Sequence, residues 1–448
     1  MKRRVVITGL GIVSPVGNNV EEVWKNVQAG VCGIAPITRY DASEMKVKLA
    51  GEVKNFHPEE LIDKKEIRKM DRYSQYAMCA AVQAMRDAGL DDTKGSEEPV
   101  FEEEGTGFAA GAATEDAAET SETSAADFDR DRWGVILASG IGGIATIEDN
   151  KVRGMEKGYD KVSPFFIPMS ISNMAAGNIA IRYGLHGMCT CVVTACASAN
   201  NAIGDAFRHI RDGYGDLMLA GGSDAAVTPL CIGGFAVMKA LTTETDPSRA
   251  SIPFDAERSG FVLGEGAGVL VLEEYEHAKK RGAHVYAELS GYGATCDAHH
   301  ITAPAPGGVG AARAMKQAMD EAGIAPADVD YINAHGTSTP MNDSCETAAI
   351  HAAFGEEASR LKVSSTKAMT GHLLGASGAV EAVITTLAVE NGFVPATINY
   401  KTPDPACDLD IVPNKGEEMK IRYALSDSLG FGGHNAVLVF GNKENLEG

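Results

Sequence analysis

Apolar and polar positions alternate in blocks along this chain. Short apolar runs that end in glycines, such as 5–11 and 285–293, predict strands, and the longer segments 201–211 and 371–390 predict helices. Predicted strands alternate with predicted helices through most of the chain. This alternation is typical of βαβ units and of a mostly parallel sheet.

The same order of segments occurs twice. Each half has a strand that ends in glycines, a strand before a glycine-containing turn, a strand that leads into a long helix, and two closing apolar strands. The matching strands are 5–11 and 285–293, 134–139 and 329–334, 191–196 and 361–366, and, as the last ones, 268–272 and 435–440. The repetition predicts two halves, 1–282 and 283–448, that share one architecture.

The long helix of the second half is unusual because segment 377–384 is apolar or small on nearly every face. Such a pattern predicts a helix that is covered all round. Two sheets that sandwich this helix and its counterpart, 201–211, satisfy the pattern. The predicted fold is therefore α/β, with five layers in the order α/β/α/β/α.

Composition narrows the class of protein. The net charge of −21 over 448 residues disfavours a nucleic-acid partner. No apolar stretch approaches the roughly 18 residues of a membrane span. The N-terminal segment 1–9 has no long apolar core and predicts a first strand in place of a signal peptide. We expect a cytoplasmic protein that does not enter the membrane.

Much of the negative charge is local. Between Asp91 and Asp127 there are twelve acidic residues and a single cation, Lys94. The segment contains too few apolar residues to offset the entropy of ordering it. We expect a mobile surface insertion at about 95–130, a solvated loop without a specific role.

Nine cysteines are scattered over the chain, a pattern typical of reduced thiols. Cys189 and Cys191 stand near Cys196 and suggest a metal site. Alternate side chains of a strand face opposite sides, however, and the chain has no CxxC pair, so we expect no metal there. Segment 9–14 does not complete the dinucleotide-binding glycine motif.

Three residues are candidates for chemistry. Cys196 stands where a predicted strand gives way to a helix, and the N-terminus of that helix favours a thiolate and an oxyanion. His335 directly follows a strand, and His372 begins the covered helix. Because ligands collect at the carboxyl ends of parallel strands, three residues at corresponding turns of a repeated fold predict one shared site.

Two further features support this site. Glu381 lies within the apolar helix, where a carboxylate is costly unless it is paired, and Lys367 is its expected partner. We expect this buried pair to fix the orientation and tautomer of His372. Three glycines surround Phe431, which suits close approach to a ligand or a mobile gate.

Together these motifs resemble the β-ketoacyl-[acyl-carrier-protein] synthases, condensing enzymes of the thiolase-like superfamily. The resemblance rests on TACAS at 194–198, NAHGTSTP at 333–340, SSTKAMTGHLLGASGA at 364–379 and GFGG at 430–433. It extends from Arg3 to about Phe440, apart from the acidic insertion, and is closest to the bacterial type II synthases of fatty-acid synthesis.

The resemblance implies a ping-pong reaction. Cys196 accepts an acyl chain from acyl carrier protein, and His335 and His372 bind the malonyl thioester and promote loss of CO2. The resulting enolate attacks the acyl-cysteine and gives a 3-oxo chain that is two carbons longer. The family uses no cofactor of its own, because its substrates are carried on the phosphopantetheine of the carrier, and it forms homodimers.

The resemblance also assigns roles to other positions. The N–H groups of Cys196 and Phe431 match the oxyanion hole, and Phe431 matches the gate. Thr337 and Thr339 match pantetheine-binding positions. The acyl pocket matches Ile141 and Phe235, with Phe166 reaching the tunnel of the partner subunit. The surface that docks the carrier matches Lys64, Lys65, Arg68, Lys69 and Lys239.

Some positions depart from the family pattern: His434 replaces a common threonine, Leu429 a phenylalanine and Ala199 a glycine. These changes leave the preference for acyl-chain length open. A polyketide-type ketosynthase with the same Cys-His-His chemistry is the alternative. A thiolase is disfavoured because Cys407 does not lie in a glycine-rich turn, and a non-catalytic partner subunit is disfavoured by the presence of Cys196.

Overall fold

The computed structural model describes residues 2–91 and 129–446. The predicted acidic insertion lies outside the described residues except for its last two positions. The strands of the described part are β1 Val5–Val13, β2 Ala35–Pro36, β3 Leu49–Ala50, β4 Trp133–Ala138, β5 Cys189–Val192, β6 Leu217–Asp224, β7 Gly266–Glu274, β8 Ala287–Cys296, β9 Val329–Asn333, β10 Lys362–Ser364, β11 Phe393–Val394, β12 Glu417–Glu418, β13 Tyr423–Gly430 and β14 His434–Asn442.

The helices surround and separate these strands. They are α1 Val20–Gln28, α2 Lys64–Ile67, α3 Arg72–Asp87, α4 Ile144–Lys157, α5 Phe166–Ser170, α6 Met174–Tyr183, α7 Ser198–Arg211, α8 Pro229–Val237, α9 Pro247–Ala250, α10 Tyr275–Lys280, α11 Val309–Ala322, α12 Pro340–Phe354, α13 Lys367–Thr370 and α14 Ser377–Asn391. Within the described residues, no helix has both the length and the apolar character that a membrane span requires.

The duplication is visible in the strand order. The first half contributes β5-β4-β6-β7-β1 and the second half contributes β10-β9-β13-β14-β8, which are equivalent orders. β4 is parallel to β5 and β6, and β9 is parallel to β10 and β13. We expected two separate sheets. Instead, two residue pairs between β1 and β8 join the halves into one ten-stranded sheet. β1 and β8 pair because backbone N–H and C=O groups on an open strand edge would otherwise lack partners.

Helices fill the space on and between the two halves of the sheet. α14 contacts β7 and β13, and α7 contacts β6 and β14, so both helices lie between the halves. α3 covers β1 and β7 on one outer face, and α11 covers β8 and β14 on the other. All residues of α14 from Ser377 to Val389 are buried. The predicted α/β fold with five layers is confirmed.

The outer helices approach their strands closely at two equivalent glycines. A Cβ atom on Gly11 would lie 1.8 Å from the carbonyl oxygen of Ala80 in α3, and one on Gly293 would lie 1.9 Å from that of Ala314 in α11. Only glycine allows this separation. The repeat therefore extends to the packing of single residues.

Two of the predicted boundaries differ from the structure, and both differences concern the site. The strand predicted to reach Cys196 ends at Val192, and the helix predicted to begin at Gly371 begins at Ser377. Cys196 and His372 therefore lie in irregular turns. The chain takes left-handed conformations in these turns, with φ 52° at Ala195, 72° at Gly371 and 52° at Leu374.

Candidate active site

The turn that carries Cys196 is held by its own residues and by the other half. The hydroxyl of Ser198 accepts the Thr194 N–H at 2.8 Å and donates to the Ala195 carbonyl at 2.6 Å. Gly430, at the end of β13, packs directly on this turn, since a Cβ there would lie 2.7 Å from the Thr194 carbonyl oxygen. The left-handed conformation of Ala195 is costly for a residue with a side chain and is kept by these contacts.

The structure brings Cys196, His335 and His372 together. One ligand atom from each of the three lies within 4.8 Å of the others. The two imidazole rings are 5.3 Å apart and nearly perpendicular, at 88°. Both histidines are buried, whereas Cys196 opens to a cavity. A thiol and two imidazoles can therefore act on the same bound group.

His372 is held by one contact to its backbone and one contact to its ring. Its N–H donates to the Val262 carbonyl at 2.7 Å, and its Nδ1 atom lies 2.8 Å from Oγ of Ser377. That hydroxyl accepts the Leu373 N–H at 2.8 Å, and we assign its hydrogen to the contact with Nδ1. This assignment of hydrogens places the ring proton on Nε2.

Lys367 and Glu381 form the predicted ion pair, between Nζ and Oε1, and both side chains are buried. The atom that contacts Nδ1 of His372 belongs to Ser377 and not to this pair. The ammonium acts on the site through its charge. It lowers the pKa of both catalytic-site histidines and opposes the rise in the pKa of Cys196.

The protonation states follow from burial. Burial, followed by the charge of Lys367, lowers the pKa of His335 and of His372 well below the ordinary range, so both rings are neutral at neutral pH. Burial raises the pKa of the Cys196 thiol to about 11, against the effect of Lys367 and of the Phe431 N–H. Desolvation thus opposes the thiolate that the position at a helix N-terminus is expected to favour. The site rests as a neutral thiol beside neutral imidazoles.

His335 is held through its backbone by two acids that the sequence analysis missed. Its N–H lies 2.6 Å from Oε1 of Glu346 and 3.2 Å from Oδ1 of Asp427, and the Gly336 N–H donates to Glu346 at 2.8 Å. The two carboxyl groups lie close enough for each to act on the pKa of the other. Burial raises the pKa of Asp427 to about 6 and that of Glu346 well above its ordinary range, which favours one shared proton.

A cavity of about 410 Å³ extends outward from Cys196 and both histidines. Thr337 and Thr339 line it, with their hydroxyl oxygens 2.9 Å apart. The other predicted site residues in its wall are Phe235, Lys239 and Phe431, and Leu429 also belongs to it. Exposed Met238 and Met341 stand among the lining residues, so the cavity opens to the surface.

Ile141 and Phe166, the other two residues predicted for the acyl pocket, do not line this cavity. Ile141 and Phe235 pack against one apolar cluster that contains Phe261 and Leu374. Phe166 begins α5 and does not line the cavity of its own chain. The cluster places apolar side chains directly beside the rings of the site, since Phe261 lies 5.2 Å from the ring of His372.

The predicted docking residues are on the surface. Lys64, Lys65, Arg68 and Lys69 are all exposed, on and just after α2. The Lys69 ammonium lies 5.6 Å from the centre of the Phe165 ring. Within the described residues, Lys64, Lys65 and Arg68 form no ion pair, so their charges face solvent.

The three departures from the family pattern lie at different distances from the chemistry. Leu429 lines the cavity, and His434 pairs across the hairpin with Gly430, next to the Cys196 turn. Ala199 is buried in the first turn of α7. Leu429 and His434 therefore adjoin the glycine-rich segment around Phe431.

The duplicated fold and the joined thiol and imidazoles define a condensing enzyme with the thiolase-like architecture. Family models agree: the N-terminal domain of β-ketoacyl synthases matches residues 2–126 and 108–278, and the C-terminal domain matches residues 286–401. The chain belongs to the β-ketoacyl synthase family, and the resemblance inferred from its motifs is confirmed.

Relatives match over almost the whole chain. The chain is 51% identical over 438 residues to 3-oxoacyl-[acyl-carrier-protein] synthase 2 of Staphylococcus aureus (strain COL), covering 98% of each. It is 48% identical over 440 residues to the Synechocystis sp. (strain ATCC 27184 / PCC 6803 / Kazusa) protein of that name, again covering 98% of each.

Solved structures share the fold. A β-ketoacyl synthase from Burkholderia phymatum STM815 aligns with a TM-score of 0.84 and 32% identity, over 98% of this chain and 99% of that one. A type II polyketide ketosynthase in complex with its acyl-carrier protein and bound to the hexaketide aligns with a TM-score of 0.85 and 36% identity, over 98% and 100%.

Proposed function

We propose that this protein is a 3-oxoacyl-[acyl-carrier-protein] synthase that extends an acyl chain on Cys196 by decarboxylative condensation with malonyl-[acyl-carrier-protein]. The observation that carries the proposal is the proximity of Cys196, His335 and His372, whose ligand atoms lie within 4.8 Å of one another at the cavity. Relatives that are 48% and 51% identical bear the corresponding name.

In the first half-reaction, Cys196 Sγ attacks the carbonyl carbon of the acyl thioester. The N–H groups of Cys196 and Phe431 both act on the thiol, since each opposes the rise in its pKa. They are therefore placed to stabilise the oxyanion that forms beside it. The carbon–sulfur bond to the carrier then breaks, and the leaving pantetheine sulfur takes the proton that the thiol loses. The histidines need not act as the base in this step.

In the second half-reaction, the malonyl thioester carbonyl accepts hydrogen bonds from the two histidines. With its ring proton assigned to Nε2, opposite the contact of Nδ1 with Ser377, neutral His372 donates without carrying a charge. Loss of CO2 leaves the electron pair of the broken carbon–carbon bond on the thioester, which becomes an enolate. The two histidines stabilise this enolate by hydrogen bonds to its oxygen. The enolate carbon attacks the acyl-cysteine carbonyl, and Cys196 leaves as the thiolate, which is reprotonated before the next cycle.

Acyl carrier protein is the proposed partner. Its phosphopantetheine arm carries the substrates into the site, so we propose no separate cofactor. Thr337 and Thr339 offer hydroxyls to that arm along the cavity. The carrier is acidic, and the uncompensated cations Lys64, Lys65 and Arg68 give it a complementary surface despite the net charge of −21. The reaction is proposed to take place in the cytoplasm.

A homodimer is proposed from the open edge of the sheet. β5 is the last strand of the order, and the apolar side chains of Met188, Val193, Ile167 and Ile171 are between 44% and 59% exposed. A second copy covers both the unpaired strand edge and this apolar surface. Phe166, within the same surface, is then placed to reach the partner's acyl pocket.

The proposed division into halves 1–282 and 283–448 rests on the repeated strand order. Gly282 lies between α10 and β8, where one half ends and the other begins. The first half supplies the nucleophile Cys196, and the second supplies His335 and His372. The reaction therefore depends on how the halves are packed together.

The intact mass of the enzyme after incubation with acyl carrier proteins of different chain length tests the function. We expect one acyl group per chain, absent from Cys196→Ser, and a preferred range of lengths. His335→Ala should still be acylated but should lose malonyl decarboxylation. Full condensing activity of Cys196→Ser would refute the mechanism. Repeated extension without intervening reduction would instead favour a polyketide-type ketosynthase.

A further inference from the structure

Asp224, the last residue of β6, is a fully buried carboxyl group with three hydrogen-bond donors around it. The Ser139 hydroxyl lies 2.9 Å from it, the Gly140 N–H 2.9 Å and the Ile141 N–H 3.3 Å. Gly375 packs against the same carboxyl group, since a Cβ there would lie 2.8 Å from its Oδ2 atom. Across residues 2–91 and 129–446, Asp224 takes part in no ion pair, so these donors alone compensate its burial.

The groups that contact this carboxyl belong to two segments from opposite halves of the chain. Segment 139–141 follows β4 and contains Ile141 of the acyl-pocket cluster, and segment 374–375 follows His372. The two backbones touch: a Cβ on Gly375 would lie 2.4 Å from the Gly140 nitrogen. Asp224 therefore stands at a direct joint between the segment that bears Ile141 and the turn that bears His372.

This joint adjoins the reacting groups. Leu374 belongs to the second segment, lines the cavity and has a left-handed φ of 52°, a conformation that needs support from outside. Ile141 and Leu374 pack in the same apolar cluster. A change in the separation of the two segments therefore changes the space between these side chains and the position of His372.

We propose that Asp224 is a positioning residue that fixes Ile141 relative to Leu374 and His372 and thereby helps to set which acyl chain lengths Cys196 accepts. The proposal rests on the proposed function, since it concerns acyl chains on Cys196. It does not place Asp224 in contact with substrate. Its carboxylate acts by accepting hydrogen bonds from segment 139–141 while it packs against Gly375 of the second segment.

Asp224→Asn tests the proposal, because the amide replaces one acceptor with a donor that faces backbone N–H groups. The readout is the ratio of Cys196 acylation rates with long-chain and short-chain acyl carrier proteins, measured by intact mass. We expect the ratio to change by about tenfold, as the loss of buried hydrogen bonds implies. Glu273→Gln is the matched control: it removes the charge of another fully buried carboxyl, at the opposite end of the β6–β7 ladder, and should keep the ratio of the wild type.

A purely structural role predicts that Asp224→Asn lowers the melting temperature but that the folded enzyme keeps the wild-type ratio, and this result overturns the proposal. If Asp224→Asn does not fold, Asp224→Glu decides: it keeps the acceptors but adds a methylene, so a changed ratio supports the proposal and an unchanged one overturns it. Absence of acylation in the wild type would instead refute the proposed function itself.

Discussion

The Nδ1 atom of His372 is held by Ser377, whose hydroxyl oxygen lies 2.8 Å away. Ser377 is the first residue of α14, and the same hydroxyl accepts the Leu373 N–H. A single side chain thus contacts both the turn that contains the histidine and the Nδ1 atom of its ring. The Lys367–Glu381 ion pair, which lies nearby, contributes charge to the site and not this hydrogen bond.

Ser377→Ala should therefore impair decarboxylation more than acylation. Without the hydroxyl, nothing fixes the ring proton of His372 on Nε2, and we expect malonyl decarboxylation to fall about tenfold or more. Acylation of Cys196 should remain within about threefold of the wild type, because that step uses backbone N–H groups. Single-turnover acylation and CO2 release measure the two steps. Ser377→Thr, which keeps the hydroxyl, is the control, and equal losses in both steps would contradict the assignment.

Removing one partner of the Lys367–Glu381 pair should be costly. Lys367→Met leaves Glu381 as an uncompensated buried charge, and we expect the free energy of unfolding to fall by about 3–5 kcal/mol. The double variant Lys367→Met/Glu381→Gln should recover much of that loss. Denaturant unfolding of the four members of the cycle measures the coupling.

The exposed pair Lys420–Glu444 is the control for this cycle, with side chains that are 71% and 65% exposed. Its coupling should be below about 1 kcal/mol, since solvent screens it. A similar coupling in both cycles would show that burial does not set the strength of the Lys367–Glu381 pair.

The rate of Cys196 alkylation should still depend on pH at values above the pKa range of ordinary thiols. Burial raises the pKa of Cys196 to about 11, so the rate of modification by iodoacetamide should keep rising through pH 9. The same shift lowers stability as the pH rises from about 9 to about 11, because the unfolded chain loses this proton first. Peptide mapping of the alkylated enzyme isolates Cys196 from the other thiols, with Cys196→Ser as the blank. A plateau below pH 9 would contradict the raised pKa of this thiol.

Charge reversal on α2 should weaken use of carrier-bound substrate. Lys65→Glu/Arg68→Glu places two negative charges opposite an acidic carrier, and we expect the KM for acyl-[acyl-carrier-protein] to rise about tenfold at low salt. The kcat should change little, because these residues do not line the cavity.

Lys279→Glu/Lys280→Glu is the matched control for this surface, since it makes the same change in net charge on exposed residues of α10. It should leave the KM near that of the wild type. Substrate on a short pantetheine thioester, without the carrier, should be used equally by all three proteins. An unchanged KM for the α2 variant would remove these residues from the docking surface.

Much of the site was predictable because its residues stand at recognisable positions. The signal that selected Glu381, a carboxyl within an apolar element, also marks Asp427 in β13 and Asp224 at the end of β6, and it was not applied to them. Ser377 carries no such signal: a serine at the start of a helix has many ordinary roles. Its contact with His372 depends on the path of the turn between α13 and α14.

The amino-acid sequence by itself determined the duplicated α/β/α/β/α fold, the nucleophile candidate Cys196 and the two histidines. The hydrophobic periodicity, the repeated order of segments and the motifs are all visible along the chain without knowledge of its packing. Only the tertiary structure decided what surrounds them. The acids that hold the His335 backbone come from positions 11 and 92 residues away, and two residue pairs join the sheets. The protonation of Cys196 was likewise decided by packing, since desolvation depends on every segment that covers the thiol.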